Sequence, residues 1–480
     1  MEETEICRLP ASTLAALLHD GSLRAEAVID AVLARCEALQ SAFNAFALID
    51  ADGARQAARA ADAARTRGDT LAPLHGVPFS VKDLVHTKGL ETAFGSHLMA
   101  GNISDHDVAA VARLKAAGAI LIGKTTTPEF AHKALTDSPR YGATRNPWNP
   151  DFSCGGSSGG AAVAVATGLG PLAVTTDGAG SSRIPASCCG VLGLKPTLGR
   201  IPSEDGVDLF GTFSQLGIMT RTTADLVVML NTMSGEDPGD PWTRAVHTPP
   251  CTVPAAPVAT LRGLRLHYKP CLGNDLLDEG VAAAMEQTLA ALSQAGAIVT
   301  CSDGREDWGN ELARVTIRGP LAARMAHFSE PQRELMDDTL RAAIAESEGL
   351  DARSLQQAPM QRAALYRQTE AIFQDADLLL TPCVSAPPPR IGHSALEPIT
   401  INGQVAGPLR AHWYNYPAPF NLTGHPAVSV PAGHTPDGLP TGIQVVAPWH
   451  GEQRLVDLAA ALEQIRPWSM TPIAKSDSTP

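Results

Sequence analysis

Apolar positions recur at helical spacing over Leu9–Leu39, and Gly21 divides the run into a short helix and a longer one, with Ser12 and Ser22 placed as N-caps. Ala51–Arg67 is alanine-rich with interspersed charge and predicts an exposed helix. Val77–Val81 then predicts a short strand that delivers Lys82 and Asp83 at its end. Asp107–Ala117 reads as helix, Ala119–Lys124 as a buried strand, Ala161–Thr167 as a small-residue helix and Leu172–Thr175 as a strand. Between Pro202 and Pro257 only Thr223–Ser234 has a clear helical pattern. Leu264–Tyr268, Glu279–Ala295 and Ala297–Cys301 alternate strand, helix and strand, which favours parallel pairing. Helices follow over Trp308–Phe328, Pro331–Glu348 and Ala352–Gln374, then strands at Asp377–Leu380, Ala427–Val430 and Gly442–Val446, and a last helix at Gln453–Ile465. The polar tail Met470–Pro480 is expected to fray.

Two stretches break these periodicities. Cys154-Gly-Gly-Ser-Ser-Gly-Gly160 and Thr176-Asp-Gly-Ala-Gly-Ser-Ser-Arg-Ile-Pro185 are glycine- and serine-rich, and an apolar run joins them. Their interior glycines and Pro185 exclude a long regular helix, while glycine lets a turn bring backbone N–H groups close to an anion.

Composition narrows the function classes. At 480 residues one large domain or two are both open, and neither a repeat nor a linker marks a boundary. Hydrophobic content of 44% and charged content of 18% describe an ordinary globular chain. A net charge of −13 argues against nucleic acid as a partner. No signal-like leader precedes Pro10 and no apolar run spans a bilayer, so no membrane partner and a cytoplasmic location are expected. The nine cysteines are scattered without a C-x-x-C pair, and the fourteen histidines show no metal-ligand spacing; reduced thiols, no metal and no cofactor follow as expectations.

Three chemistries compete for the glycine-serine stretches. Gly155-x-Ser157-x-Gly159 matches a nucleophile elbow in form, but Trp148–Cys154 is not the apolar strand that motif needs. Gly178-x-Gly180 follows a strand, yet Arg183-Ile184-Pro185 replaces the third glycine and helix of a dinucleotide fingerprint. What remains is acyl transfer from a serine whose base is a lysine. Burial must then lower that lysine from about 10.4 toward neutrality. Lys82 follows an apolar strand; a surface lysine at a strand end is the plainer alternative.

Taken together, Gly76-Val-Pro-Phe-x-Val-Lys82-Asp83, Gly155–Gly160, Asp177-x-x-Gly180-Ser181-x-Arg183-Ile-Pro185 and Cys189-Gly-x-x-Gly-Leu-Lys195-Pro196 closely resemble the amidase signature family. Gly123-Lys124-Thr125, Asn146-Pro147-Trp148, Leu380-x-Pro382, Asn421-x-x-Gly424-x-Pro426 and Gly438-Leu-Pro-x-Gly442-x-Gln444 resemble its outer motifs. The resemblance implies an α/β class with a single α/β/α amidase fold over 1–480, a large mixed sheet surrounded by helices. The signature core would span about 74–202, and the variable pocket regions about 203–250 and 305–416. It implies a Ser–Ser–Lys triad, with Ser181 as nucleophile, Ser157 as bridge behind a cis Gly156–Ser157 peptide, and Lys82 as base. Backbone N–H groups of Gly178, Ala179, Gly180 and Ser181 would form the oxyanion hole. Ser158, Asp177 and Arg183 would hold the loops, the last two as a pair. Ala179 stands where many members have glycine, and Thr126 where asparagine is frequent.

Within the family, the glutamine-hydrolysing component of tRNA-dependent amidotransferases binds the glutamine amino group with an acidic residue seven positions before the Asn of Asn-Leu-x-Gly. Here that position is Tyr414. Trp413, Tyr416 and Phe420 beside it suggest an apolar or aromatic-accepting pocket. The resemblance therefore implies a stand-alone amidase that hydrolyses a small-molecule amide by way of an acyl-enzyme. The tRNA-dependent amidotransferase component and a carbamoyl or urea-derivative hydrolase remain alternatives, and a homodimer is left open.

Overall fold

The computed structural model describes residues 2–245 and 248–468, so the tail expected to fray lies outside the described residues. One mixed sheet of eleven strands collects most of the β-structure. In chain order these are β1 (Phe46–Ile49), β2 (Pro78–Lys82), β3 (Ile120–Thr125), β4 (Leu172–Asp177), β5 (Leu192–Lys195) and β6 (Gln215–Thr220). Then follow β7 (Arg265–Tyr268), β8 (Ile298–Cys301), β9 (Leu378–Pro382), β10 (Ala427–His434) and β11 (Pro440–Val446). They lie side by side as β1-β3-β2-β4-β6-β5-β10-β11-β9-β7-β8. β3, β2 and β4 run parallel at one end, and β9, β7 and β8 run parallel at the other. The strands between them pair antiparallel, with Asp177 of β4 opposite Gln215 of β6.

Helices cover both faces of the sheet. Helix Gly159–Thr167 is buried at all of its residues, as its glycine-alanine-valine composition requires of a helix enclosed in the core. Helix Arg183–Cys189, also wholly buried, lies directly on the sheet where Gly193 and Gly217 leave room. A Cβ on Gly193 would sit 2.5 Å from Ala186 Cβ, and one on Gly217 2.3 Å from Ser182 Oγ.

Most expected elements occur, and the differences have physical causes. Gly21 does end the first helix, at φ 83°, but Ser12 and Ser22 cap nothing. Instead Asp225 accepts from the N–H groups of Ala11 and Ser12 at 2.9 and 3.0 Å, and Asp62 from those of Ala25 and Glu26 at 2.8 and 3.1 Å. Carboxylates from distant segments thus do the capping, and they also suit the positive helix ends. The run Pro331–Glu348 forms two helices, Glu330–Arg333 and Asp338–Ser347, because Asp337 accepts from Thr339 N–H and starts the second. β5 and β6 have no alternating pattern to betray them, being buried at every residue. All nine cysteines are free thiols, and among the described residues no helix is long and apolar enough to cross a membrane.

Candidate active site

Lys82 is the last residue of β2 and is fully buried, as is Ser157, 75 residues later. The Lys82 Nζ lies 2.6 Å from Ser157 Oγ and 2.9 Å from Thr176 Oγ1. Burial holds Lys82 well below lysine's ordinary range, and the Asp177 carboxylate opposes this only in part. The Gly156–Ser157 peptide is cis. Ser158 fastens the two glycine-serine stretches together: its N–H donates to the Ser181 carbonyl at 3.1 Å and its hydroxyl to the Thr176 carbonyl at 3.3 Å. Ser181 thereby stands beside the lysine–serine pair. Among the described residues no hydrogen bond joins the Ser157 and Ser181 hydroxyls, so contact is made at the first link and not at the second.

The turn after β4 is held by Asp177. Its Oδ1 accepts from Gly180 N–H at 2.7 Å and its Oδ2 from Ser182 N–H at 3.2 Å. The Gly180 N–H, one of the four expected oxyanion donors, is therefore occupied. The N–H groups of Gly178, Ala179 and Ser181 have no acceptor among the described residues. Gly180 is at φ 106°, and a Cβ there would meet the Pro417 ring at 2.6 Å. Ala179 is outside the left-handed region, which is why a Cβ is accommodated at that position.

Arg183 clamps the same turn from below. Its Nη2 and Nε donate to the two Asp177 oxygens at 2.8 and 2.9 Å, with both side chains fully buried. Nη1 donates to Gln444 Oε1 at 2.6 Å and to the Pro417 carbonyl at 3.1 Å; Nη2 also reaches Asn421 Oδ1 at 2.5 Å. Burial by itself would raise the Asp177 carboxyl, but the Arg183 charge and hydrogen bonds outweigh it and hold that carboxyl well below the usual range.

Ser181, Thr176, Gly178 and Ala179 open onto a cavity of about 410 Å³. Its apolar lining comes from Phe94, Phe130, Phe213, Ile317, Leu321 and Tyr414. Residues after 203 and 305 line it, and so do the segments around Phe94 and Phe130, which were not anticipated. Trp413, Tyr416 and Phe420, expected to shape the pocket, are core residues instead. Trp413 Nε1 donates to the Ala386 carbonyl at 2.9 Å, Tyr416 donates to the Pro270 carbonyl at 2.8 Å, and Phe420 packs by Trp308. Each polar tip finds a backbone acceptor in the interior, so the ring is drawn inward. Thr126 is likewise internal, its hydroxyl 2.6 Å from that of Thr144.

Thr176 was missed by the sequence reading. Strand parity carries the signal: in Thr175-Thr176 the two side chains take opposite faces, Thr175 meeting Ser182 at 2.7 Å and Thr176 meeting Lys82.

Compared with known proteins, residues 27–456 match the family described as Amidase. Over 476 residues the chain is 35% identical to an acylamidase of Rhodococcus erythropolis, with 98% of each chain covered. It is 32% identical to the A component of the glutamyl-tRNA(Gln) amidotransferase of Chloroflexus aurantiacus, covering 97% of this chain and 98% of that one. The solved structure of a bacterial aryl acylamidase of the amidase signature enzymes matches with a TM-score of 0.87 at 26% identity, covering 96% of this chain and 96% of that one.

Proposed function

The chain belongs to the amidase signature family and is an amide hydrolase; from that premise we propose that it cleaves the C–N bond of a small-molecule carboxylic amide through Ser181, Ser157 and Lys82. The observation that carries the reading is the 2.6 Å contact between the buried Lys82 amine and Ser157, beside a serine that lines the cavity.

A neutral amine has two N–H donors and one lone pair. With Thr176 accepting one N–H, the lone pair is free to take the Ser157 proton while Ser157 takes that of Ser181. Ser181 Oγ then attacks the amide carbonyl. The N–H groups of Gly178, Ala179 and Ser181 receive the oxyanion, where loss of one donor costs about 10²–10³ in rate. The protons return through Ser157 to the leaving nitrogen, the C–N bond breaks, and water deprotonated by the same relay releases the acid from Ser181.

The relative from Chloroflexus carries the alternative, the glutamine-hydrolysing component of an amidotransferase. Against it, Tyr414 lines the cavity where that component would need a carboxylate for the glutamine amino group. The deciding experiment is hydrolysis of anilides, aliphatic amides, amino-acid amides and glutamine by the wild type and by Lys82→Ala, Ser157→Ala and Ser181→Ala. The expected result is release of amine from simple amides, with each folded variant slower by orders of magnitude. Full turnover by Ser181→Ala would overturn the mechanism, and cleavage of glutamine alone, dependent on added partner proteins, would replace it with the amidotransferase reading.

A further inference from the structure

The cavity that Ser181 opens onto also carries charge that the hydrolytic steps leave unused. Arg324, in the last turn of helix Asn310–Met325, and Arg410, in helix Leu409–His412, both line it. Nε and Nη1 of Arg410 are shielded from solvent, and no group among the described residues accepts a hydrogen bond from either. The Arg410 guanidinium is 5.4 Å from the Tyr414 ring centroid. Arg324 has no hydrogen bond or ion pair among the described residues. Burial holds it below arginine's ordinary range, and no carboxylate opposes that effect.

Most of the other charged groups on this cavity are engaged, while Glu204 Oε2 is buried without a partner among the described residues. Lys133 pairs with Asp137 and, at 2.9 Å, with Asp337. Glu204 accepts from Ala109 N–H, Asp205 pairs with His106 at 2.9 Å, and Asp208 accepts from Gly211 N–H at 2.8 Å. Among the described residues the two arginines are thus the cations on this cavity without an anionic partner, and a guanidinium matches a carboxylate with two parallel hydrogen bonds.

We propose that the amide substrate carries a carboxylate remote from its scissile bond, received by Arg410 and Arg324 while the carbonyl lies at Ser181. This rests on the hydrolase reading above and names the class of amide it acts on.

The test compares three anilides of similar size: neutral butyranilide, succinic acid monoanilide with the carboxylate on the acyl side, and 4-butyramidobenzoic acid with it on the amine side. For wild type, one of the acids should exceed butyranilide in kcat/KM by about 10-fold or more, and which one does tells which half of the substrate faces the arginines. In Arg410→Gln and Arg324→Gln that ratio should fall by about 10-fold or more, mainly through KM, with Arg410→Lys intermediate. A ratio unchanged across the variants, or a wild-type preference for butyranilide, overturns the proposal. Should no anilide be hydrolysed, calorimetric titration of the two acids and butyranilide into Ser181→Ala still decides it. Tighter binding of an acid, lost in the Ser181→Ala/Arg410→Gln double variant, supports the anion site even as the hydrolase mechanism fails; equal binding of all three overturns it.

Discussion

Asp177 and Arg183, six residues apart in the chain, form a fully buried two-pronged ion pair across the turn that presents Ser181. The same carboxylate holds the N–H groups of Gly180 and Ser182, and the same guanidinium is fixed by Gln444, Asn421 and the Pro417 carbonyl. The turn is therefore positioned by β11 and by the segment just before β10, and neither charge is left without partners.

Removing one member strands the other. Arg183→Met or Asp177→Asn should each lower stability by about 3–5 kcal/mol in urea unfolding, because a buried charge loses its counterion. The Asp177 carboxyl is depressed in the folded state, so its contribution is complete above the unfolded value of about 3.9 and is lost as pH falls below it. Acid unfolding of Asp177→Asn should accordingly lack that part of the pH slope.

The buried Lys82 predicts the shape of the pH–rate profile. The base must be neutral, and burial depresses it well below 10.5. The kcat/KM should rise with pH along one acidic limb and reach its plateau well short of pH 10.5. A limb that continues to the ordinary lysine range would show that Lys82 is not the base. For stability the sign is the same: its contribution is complete above about pH 10.4 and shrinks as pH falls toward the depressed folded value. Lys82→Met should flatten that slope below about pH 10.4 in denaturant titrations.

Thr176 donates no proton in this scheme but occupies one Lys82 N–H at 2.9 Å. Thr176→Val keeps the shape and removes the acceptor. It should lower kcat by about 10-fold, on the scale of one buried hydrogen bond to the proposed base, and displace the acidic limb of the pH profile. Thr176→Ser should restore both. A kcat loss without movement of the limb would make the threonine a packing residue only.

Gly193→Ala tests the close approach of the helix behind Ser181. The new Cβ would lie 2.5 Å from Ala186 Cβ and 2.7 Å from the Ser182 carbonyl, so helix Arg183–Cys189 must lift from the sheet. A loss of about 1–3 kcal/mol is expected in urea unfolding. A kcat loss larger than that of a matched alanine substitution at Gly349, where a Cβ meets only the Glu346 carbonyl at 3.8 Å, would show that lifting the helix disturbs Ser181.

Much of this site was legible because its chemistry is local. Glycine spacing, a proline after the serine and a lysine ending an apolar strand are short-range features, and through the resemblance they carry to the amidase signature they pointed to Lys82, Ser157 and Ser181 together with the Asp177–Arg183 pair. Helices and strands with strong periodicity, such as Ala51–Arg67 and Arg265–Tyr268, were likewise recoverable, since one face of each must be apolar to pack. The N-caps were not: Asp225 and Asp62 reach helices that begin at Ala11 and Ala25, and no local signal points to a donor so far along the chain.

The pocket lay beyond the sequence for the same reason. Trp413 and Tyr414 are neighbours, yet one turns into the core toward Ala386 and the other lines the cavity. Only the folded chain determines which way each of two consecutive side chains turns just past the end of a short helix. The sequence by itself determined the class of reaction, because motif residues and their order survive any change in the surrounding loops. The tertiary structure decided the depth at which Lys82 is buried, which N–H groups remain for an oxyanion, and which arginines stay unpaired. Each of these is a balance of desolvation and hydrogen bonding set by groups hundreds of residues apart.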